Sequence, residues 1–293
     1  MSRPETAAPV ASHSIAKLLE RLAYQVGVTA HHSGADNIHD LRVAVRRFEQ
    51  SLIIFRRALP AREVKRVRRK LKVLMGYAGA VRDCDVALKI LAKCQEPGVA
   101  GVKERLTEER KAELPVLAAA LRRWGARRTS SKWRAALLPV GAHDGFHHHL
   151  PKLAKKFLAQ GDEAARPKTS AETLHAFRIE GKKFRYTLEL LAPVYGAPAQ
   201  QWMEKLKPLQ SVLGDIHDAR MAREVAARFG ATPEVEDWLK SRQRKKSREF
   251  RRLWEEAFGA SSDSRRLVDA LRQIPRKPMA RSTTPVRAAV RHA

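Results

Sequence analysis

Cysteine is nearly absent: 293 residues hold only Cys84 and Cys94, ten apart and in no CxxC pattern. That excludes a disulfide scaffold and a cysteine-built structural zinc site, and two lone thiols fit a reducing cytoplasm. Aromatic residues are scarce at 6%, too few for binding built mainly on base stacking. No apolar run approaches the roughly 18 residues of a membrane span, and the opening MSRPETAAPVASHS holds no apolar stretch of signal-peptide length. Sustained period-two alternation with β-branched residues, the mark of a half-buried strand, is missing too. The largest deficit is acid: 31 Asp and Glu stand against 58 Lys and Arg, a formal net charge of +27. Such an excess opposes compaction by self-repulsion, and a bound polyanion relieves it.

What is present is helical periodicity. Hydrophobic residues make up 44%, enough to bury a core. Leu41, Val45, Phe48, Leu52, Phe55 and Leu59 alternate spacings of four and three, one continuous apolar stripe. Val64, Val67, Leu71, Leu74 and Ala78 repeat it in the next segment. Leu59-Pro60-Ala61 reads as a break between helices, Gly79 as a helix end, and Asp36 or Asn37 as the cap of a helix start. Short links of this kind favour antiparallel neighbours. The expected class is all-α.

The chain also repeats itself. IHDLRVAVRRFEQSLIIFR (38–56) matches LHAFRIEGKKFRYTLELL (174–191) at an offset of 136, placing His39 on His175, Arg42 on Arg178, Arg46 on Lys182 and Phe48 on Phe184. AGAVRDCD (78–85) then matches LGDIHDAR (213–220) at an offset of 135. Two blocks in the same order at nearly one offset indicate a tandem duplication. The expected organisation is a disordered N-terminus over 1–11, a first helical-bundle repeat over 12–125, and a connector over 126–143 with a short helix around 132–139. A second repeat over 144–258 and a short helix with a basic disordered tail over 259–293 complete it. Each repeat would hold a four-helix core with a fifth helix alongside, at about 100–123 and 233–258.

Advancing about 100° per residue from His39 puts Arg42 at 300°, Arg46 at 340° and Arg57 at 0°, opposite an apolar stripe near 200°. His39, Arg42 and Arg46 therefore share a solvent-facing line. His175, Arg178, Lys182 and Arg185 form the same line in the second repeat. Lys65, Arg69 and Lys72 form a stripe on the following helix, with Lys207 as the counterpart of Lys72. Arginine offers a planar fork that stays charged, lysine a point charge, and histidine a donor whose charge depends on pH near neutrality. A row stepping about 4.5–6 Å per i+3 or i+4 can follow a flexible chain of phosphates and is poorly matched to one small ligand. A basic helix face is often only solvated. Here the stripes contain almost no acid, recur with their histidine, and leave the net charge uncompensated.

Four further features stand apart from these stripes. Arg82 and His217 are expected to open equivalent helices after Gly79 and Gly214; each is read either as a ligand contact or, with the aspartate that follows it, as part of a capping turn. Segment 240–252, KSRQRKKSREFRR, holds eight basic residues and lacks an apolar stripe in its middle, so it is expected to project from the bundle. His143, His147, His148 and His149 raise a metal site, but consecutive helical histidines point about 100° apart and no HExxH follows. Neither metal nor other cofactor is expected. The tail after Pro275 fits a solvated tail or an accessory arm.

The paired blocks resemble the CHAD family, the conserved-histidine α-helical domain, over roughly residues 12–258. In LHAFRIEGKKFRYTLELL the histidine, arginine, lysine and tyrosine stand at the family's spacing. The resemblance implies two antiparallel helical bundles related by a pseudo-twofold axis with a basic channel between them, binding of inorganic polyphosphate, and association with polyphosphate granules. Carried over by position, the ligand contacts are His39, Arg42, Arg46, His175, Arg178, Lys182 and Arg185, with Arg82 and His217 added. The sequence departs from the pattern at Glu180 and Gly181, and Lys65 and Arg69 have no basic counterparts near Gln200 and Glu204. The expectation is a stand-alone binder without catalysis, with nucleic acid as a weaker competitor. A nucleic-acid binder, with Tyr186 as the main stacking platform, and a histidine phosphocarrier or polyphosphate hydrolase are the alternatives.

Overall fold

The computed structural model describes residues 7–138, 140, 150–259 and 261–272. The His143–His149 cluster and the tail after Pro275 lie outside the described residues. Those described form ten α-helices and one short 3-10 turn, with no strand among them. The chain is all-α, and no helix among the described residues is long and apolar enough to cross a membrane.

The helices are α1 (Ala7–His31), α2 (Ala35–Ile54), α3 (Ala61–Leu91), α4 (Val99–Ala126), α5 (Thr129–Leu137), α6 (Leu150–Ala165), α7 (Ala171–Tyr195), α8 (Ala197–Arg228), α9 (Pro233–Phe258) and α10 (Ser261–Ala270). Each repeat supplies four long helices, α1–α4 and α6–α9, rather than five. The count is smaller because α3 and α8 run unbroken through Gly79 and Gly214, where helix ends were expected. A glycine costs a helix interior only about 1 kcal/mol against alanine, which packing along helices of 31 and 32 residues readily offsets. Arg82 and His217 thus lie inside helices and open none. Three smaller corrections belong here. The first helix starts at Ala7, within the stretch expected to be disordered. The N-cap of α2 is Gly34, while Asn37 donates to the His32 carbonyl at 2.6 Å. Arg57 belongs to the 3-10 turn Arg56–Ala58 and leaves the α2 line.

The apolar stripes meet as their periodicity requires. Leu41, Val45, Phe48, Leu52, Phe55 and Leu59 are all buried, with Val67, Leu71, Leu74 and Ala78 of α3. In the second repeat Phe157, Phe177, Phe184, Trp202, Trp254 and Phe258 form a nest of ring contacts. Gly161 of α6 is part of this packing: a β-carbon there would overlap the Trp254 ring. One main cluster runs through both repeats, and a second gathers the C-terminal parts of α3 and α8 with the starts of α4 and α9.

Like packs on like between the repeats: α3 on α8 and α2 on α7. Gln50 donates across that junction to the Thr187 hydroxyl at 3.1 Å, a buried contact, and Arg47 pairs with Glu189 at 3.0 Å. Segment 240–252 does not project from the bundle. It is part of α9, which packs along α8, and Lys246 bridges from its middle to Asp215 at 2.9 Å.

Candidate functional site

The α2–α7 and α3–α8 junctions bring the matched blocks of the two repeats together. The α2 line delivers His39, Arg42 and Arg46, the α7 line His175, Arg178 and Lys182. Arg82 and Asp83 come from α3, His217 and Asp218 from α8. Arg42 lies within electrostatic reach of Arg46, Arg82 and Arg178, and Lys182 within reach of Arg178, Arg46 and Arg42. Five cations (Arg42, Arg46, Arg82, Arg178, Lys182) thus share a region with two carboxylates, and the acids do not balance them.

Backbone carbonyls hold two of these side chains in place. Arg42 donates from Nη1 to the Met75 carbonyl at 3.3 Å, and Arg82 from Nη1 to the Ala35 carbonyl at 3.4 Å. Gly79 leaves the room that Arg42 uses, since a β-carbon there would stand 3.0 Å from Nη1. Nε of Arg178 and Nδ1 of both His175 and His217 are buried with no hydrogen-bond partner among the described residues. Leaving such groups unmatched is costly, so each is an open hydrogen-bonding position. The His175 and His217 rings lie 5.1 Å apart.

Burial disfavours the charged forms of Arg42, Arg178, Lys182 and the three histidines, and repulsion from neighbouring cations adds to it. Lys182 is pushed down to about 7, first by burial and then by Arg178 and Arg46. Arg42 is lowered to about 10 by burial and Arg46, and Arg178 is lowered chiefly by burial. His217 falls to about 3 through burial and then Arg178 and His175. His39 and His175 are also lowered, by burial first, then by Arg82 and Arg178 respectively. Burial raises Asp83 and Asp218, against the pull of Arg42 on the one and Arg178 on the other. The site is a concentration of positive charge that burial and mutual repulsion disfavour.

The remaining sequence candidates sit differently. Lys65, Arg69 and Lys72 are exposed on α3, and continuing their spacing through Gly76 and Gly79 reaches Asp83. Lys72 is about 10 Å of helix rise from Gly79, so this stripe extends the cluster outward. Lys207, also exposed, leads to Asp218 through Ser211 and Gly214 in the same way. Arg185 is drawn aside, donating to Glu189 at 2.8 Å and to Gln210 at 3.1 Å. Gly181 does not weaken α7 visibly: the helix is continuous, and the Gly181 carbonyl accepts from Gln210 at 2.8 Å. Glu180 is held by Lys183 at 2.6 Å. Tyr186 cannot serve as a stacking platform, being 8% exposed with the Arg47 guanidinium 6.0 Å from its ring centre.

Sequence reasoning passed over Asp83 and Asp218 as cluster members, although they are duplicated at the offset of 135. Arg220, within reach of both His175 and His217, was also missed; no counterpart in the first repeat drew attention to it. Among the described residues, no group of three His, Cys, Asp or Glu side chains is placed to hold a metal ion.

The family model of the CHAD domain matches residues 13–227. The chain belongs to the CHAD domain family. Among solved structures it is similar to the CHAD domain from the plant Ricinus communis, at 19% identity and a TM-score of 0.66, covering 94% of this chain and 95% of that one. It is also similar to PptA from Streptomyces chartreusis, at 17% identity and a TM-score of 0.61, covering 86% of this chain and 99% of that one. At these identities the likeness speaks for the fold. No curated protein matches the sequence.

Proposed function

We propose that this CHAD protein binds inorganic polyphosphate in the cleft lined by α2, α3, α7 and α8, and that it binds without turning its ligand over. One observation carries the reading: Arg42, Arg46, Arg178 and Lys182, two from each repeat, are drawn into mutual repulsion with too little acid to balance them. A flexible chain of phosphates can thread past all four, and the α3 stripe and Lys207 extend its path. Affinity then comes from charge-assisted hydrogen bonds and from counterion release, so it falls steeply with salt. Association with polyphosphate granules and a cytoplasmic setting are part of the same proposal.

Nucleic acid would meet the same positive field but would gain little from stacking, because Phe48, Phe184 and Tyr186 are buried. We therefore place it as the weaker competitor. A phosphocarrier role would need a histidine that accepts a phosphoryl group, and His39, more open to solvent than His175, is the candidate to check.

The test is a titration with long-chain polyphosphate and with single-stranded RNA across a salt series. It compares the native protein with Arg42→Ala/Arg46→Ala/Arg178→Ala/Lys182→Ala. Polyphosphate binding that survives RNA competition and drops at least a hundredfold in the variant is expected. Equal binding of both polymers, unchanged in the variant, would show the charge to be generic. Phosphohistidine found by mass spectrometry after incubation with a phosphodonor would replace binding by group transfer.

A further inference from the structure

A second concentration of positive charge lies away from the central cluster. A cavity of about 390 Å3 opens between the α6–α7 loop, the first turn of α7, the C-terminal part of α8 and the middle of α9. Lys168 lines it from the loop, Arg223 from α8, and Lys240, Arg244, Arg248 and Arg251 from α9. None of these belongs to the central site.

The α9 contribution is directional. At about 100° per residue, Lys240, Arg244, Ser247, Arg248 and Arg251 fall within an arc of about 100°, along about 16 Å of helix. The buried face of α9 runs through Val235 and Leu239 and resumes at Phe250, Trp254 and Phe258. In the gap between them, the positions that would continue the apolar stripe are Gln243 and Lys246. The core is interrupted there, and the cavity occupies the interruption, with Gln243 in its wall.

Two α9 cations outside the lining have ion partners: Lys246 pairs with Asp215 and Glu249, and Arg252 with Glu256. Lys240 is held by Glu236 and Asp237. Arg223, Arg244, Arg248 and Arg251, which face the cavity, have no ion pair or hydrogen bond among the described residues. The loop wall is held in an unusual backbone shape, with Lys168 at φ 62, a left-handed conformation that a non-glycine residue keeps only where its surroundings over-determine it. Ala171 and Leu174 bring the N-terminal turn of α7 to the cavity edge, where its dipole adds further positive potential.

The walls define the ligand. The cavity's volume suits a small molecule, and no aromatic ring lines it for a base to stack on. Guanidinium groups from two helices line one open-sided pocket, together with Thr169 and Ser247. Arginine forks of this kind match phosphate oxygens. We infer that this cavity is a second anion site, for a compact molecule carrying several phosphate groups, and that it works independently of the central cleft. A short inorganic phosphate chain and a polyphosphorylated small organic molecule share that chemistry.

Calorimetric titration of the full-length protein with tripolyphosphate and, separately, with inositol hexakisphosphate tests the inference. Three variants are compared: Arg42→Ala/Arg178→Ala in the cleft and, each added to that cleft variant so that the central site contributes little, Arg244→Ala/Arg248→Ala/Arg251→Ala in the cavity or Arg122→Ala/Arg123→Ala/Arg127→Ala as a charge-matched control. Alanine favours helix, so α9 persists, and a glutamine triple at the same positions gives the same readout should the alanine triple melt early. The expected result is binding that survives in the cleft variant and the control and weakens at least tenfold in the cavity variant. The probe that shows this difference identifies the source of the phosphate groups. No binding to the native protein, an unchanged affinity in the cavity variant, or an equal loss in the control overturns the proposal.

Discussion

Arg42 lies across the backbone of Gly79, so that a β-carbon at position 79 would stand 3.0 Å from its Nη1. At the matched position in the second repeat, a β-carbon on Gly214 would meet nothing within 4 Å. The two glycines occupy the same place in the duplicated pattern and carry different burdens.

Alanine at either position should stabilise the long helix that contains it, by about 0.5–1 kcal/mol. Gly214→Ala should raise the melting temperature and leave polyphosphate affinity unchanged. Gly79→Ala should gain less stability and weaken binding several-fold, because Arg42 must shift. Thermal melts and titrations of the two variants side by side check this; equal affinities would mean that the position of Arg42 is immaterial.

Lys182 should be a cost to the free protein. Its folded value of about 7 lies below the ordinary lysine value of 10.5, so between those pH values the folded state holds fewer protons than the unfolded one. Stability from this group therefore rises with pH across that window and is lowest at and below pH 7. Lys182→Met should raise the melting temperature at pH 6–7 by about 2–5 °C, with the difference shrinking toward pH 10, while polyphosphate affinity falls. A melting temperature lowered at pH 7 would contradict the repulsion described for the site.

Binding should tighten as pH falls toward 6. His39 and His175 are held below the ordinary value of 6.5 by burial and nearby cations, against the smaller opposing pull of Asp40 and Glu224 respectively. A bound polyanion favours the charged imidazoles, so binding takes up protons. The gain begins as pH passes below the bound-state values and levels off below the free-state ones. Affinity that stays flat from pH 8 to 6 in the native protein would rule this out, and His39→Gln/His175→Gln should reduce the slope.

The Gln50–Thr187 contact should couple the two repeats energetically. Thr187→Val alone strands the buried Gln50 amide and should cost about 1–3 kcal/mol, whereas Gln50→Leu leaves the Thr187 hydroxyl its bond to the Lys183 carbonyl at 2.8 Å and should cost less. The double variant should cost less than the sum of the two. A double-mutant cycle by denaturant unfolding measures the difference, and strict additivity would show that the bond contributes nothing.

Much of this was readable from the amino acids. The α2 stripe from Leu41 to Leu59 is buried as its period demanded, and the matched blocks do come together. The continuity of α3 and α8 was not readable, because a glycine signals a helix end only where no neighbour needs the space it leaves. The convergence of Arg42, Arg178 and Lys182 was visible as two separate lines; that the lines meet depends on α2 packing on α7, a contact between segments over 130 residues apart. The inward face of 240–251 was hidden for a similar reason: its charge was plain, but the wall it faces is set by the backbone turn at Lys168.

The duplication is least faithful at the approaches to the cleft. Where α3 presents the exposed cations Lys65 and Arg69, α8 presents Gln200 hydrogen-bonded to Glu204 at 3.1 Å. The electrostatic landscape is therefore tilted. Inorganic polyphosphate has no head or tail of its own, so under the proposed function any polarity in how it lies would be imposed by the protein: the overhanging end of a bound chain would settle along α3, turned away from the start of α8.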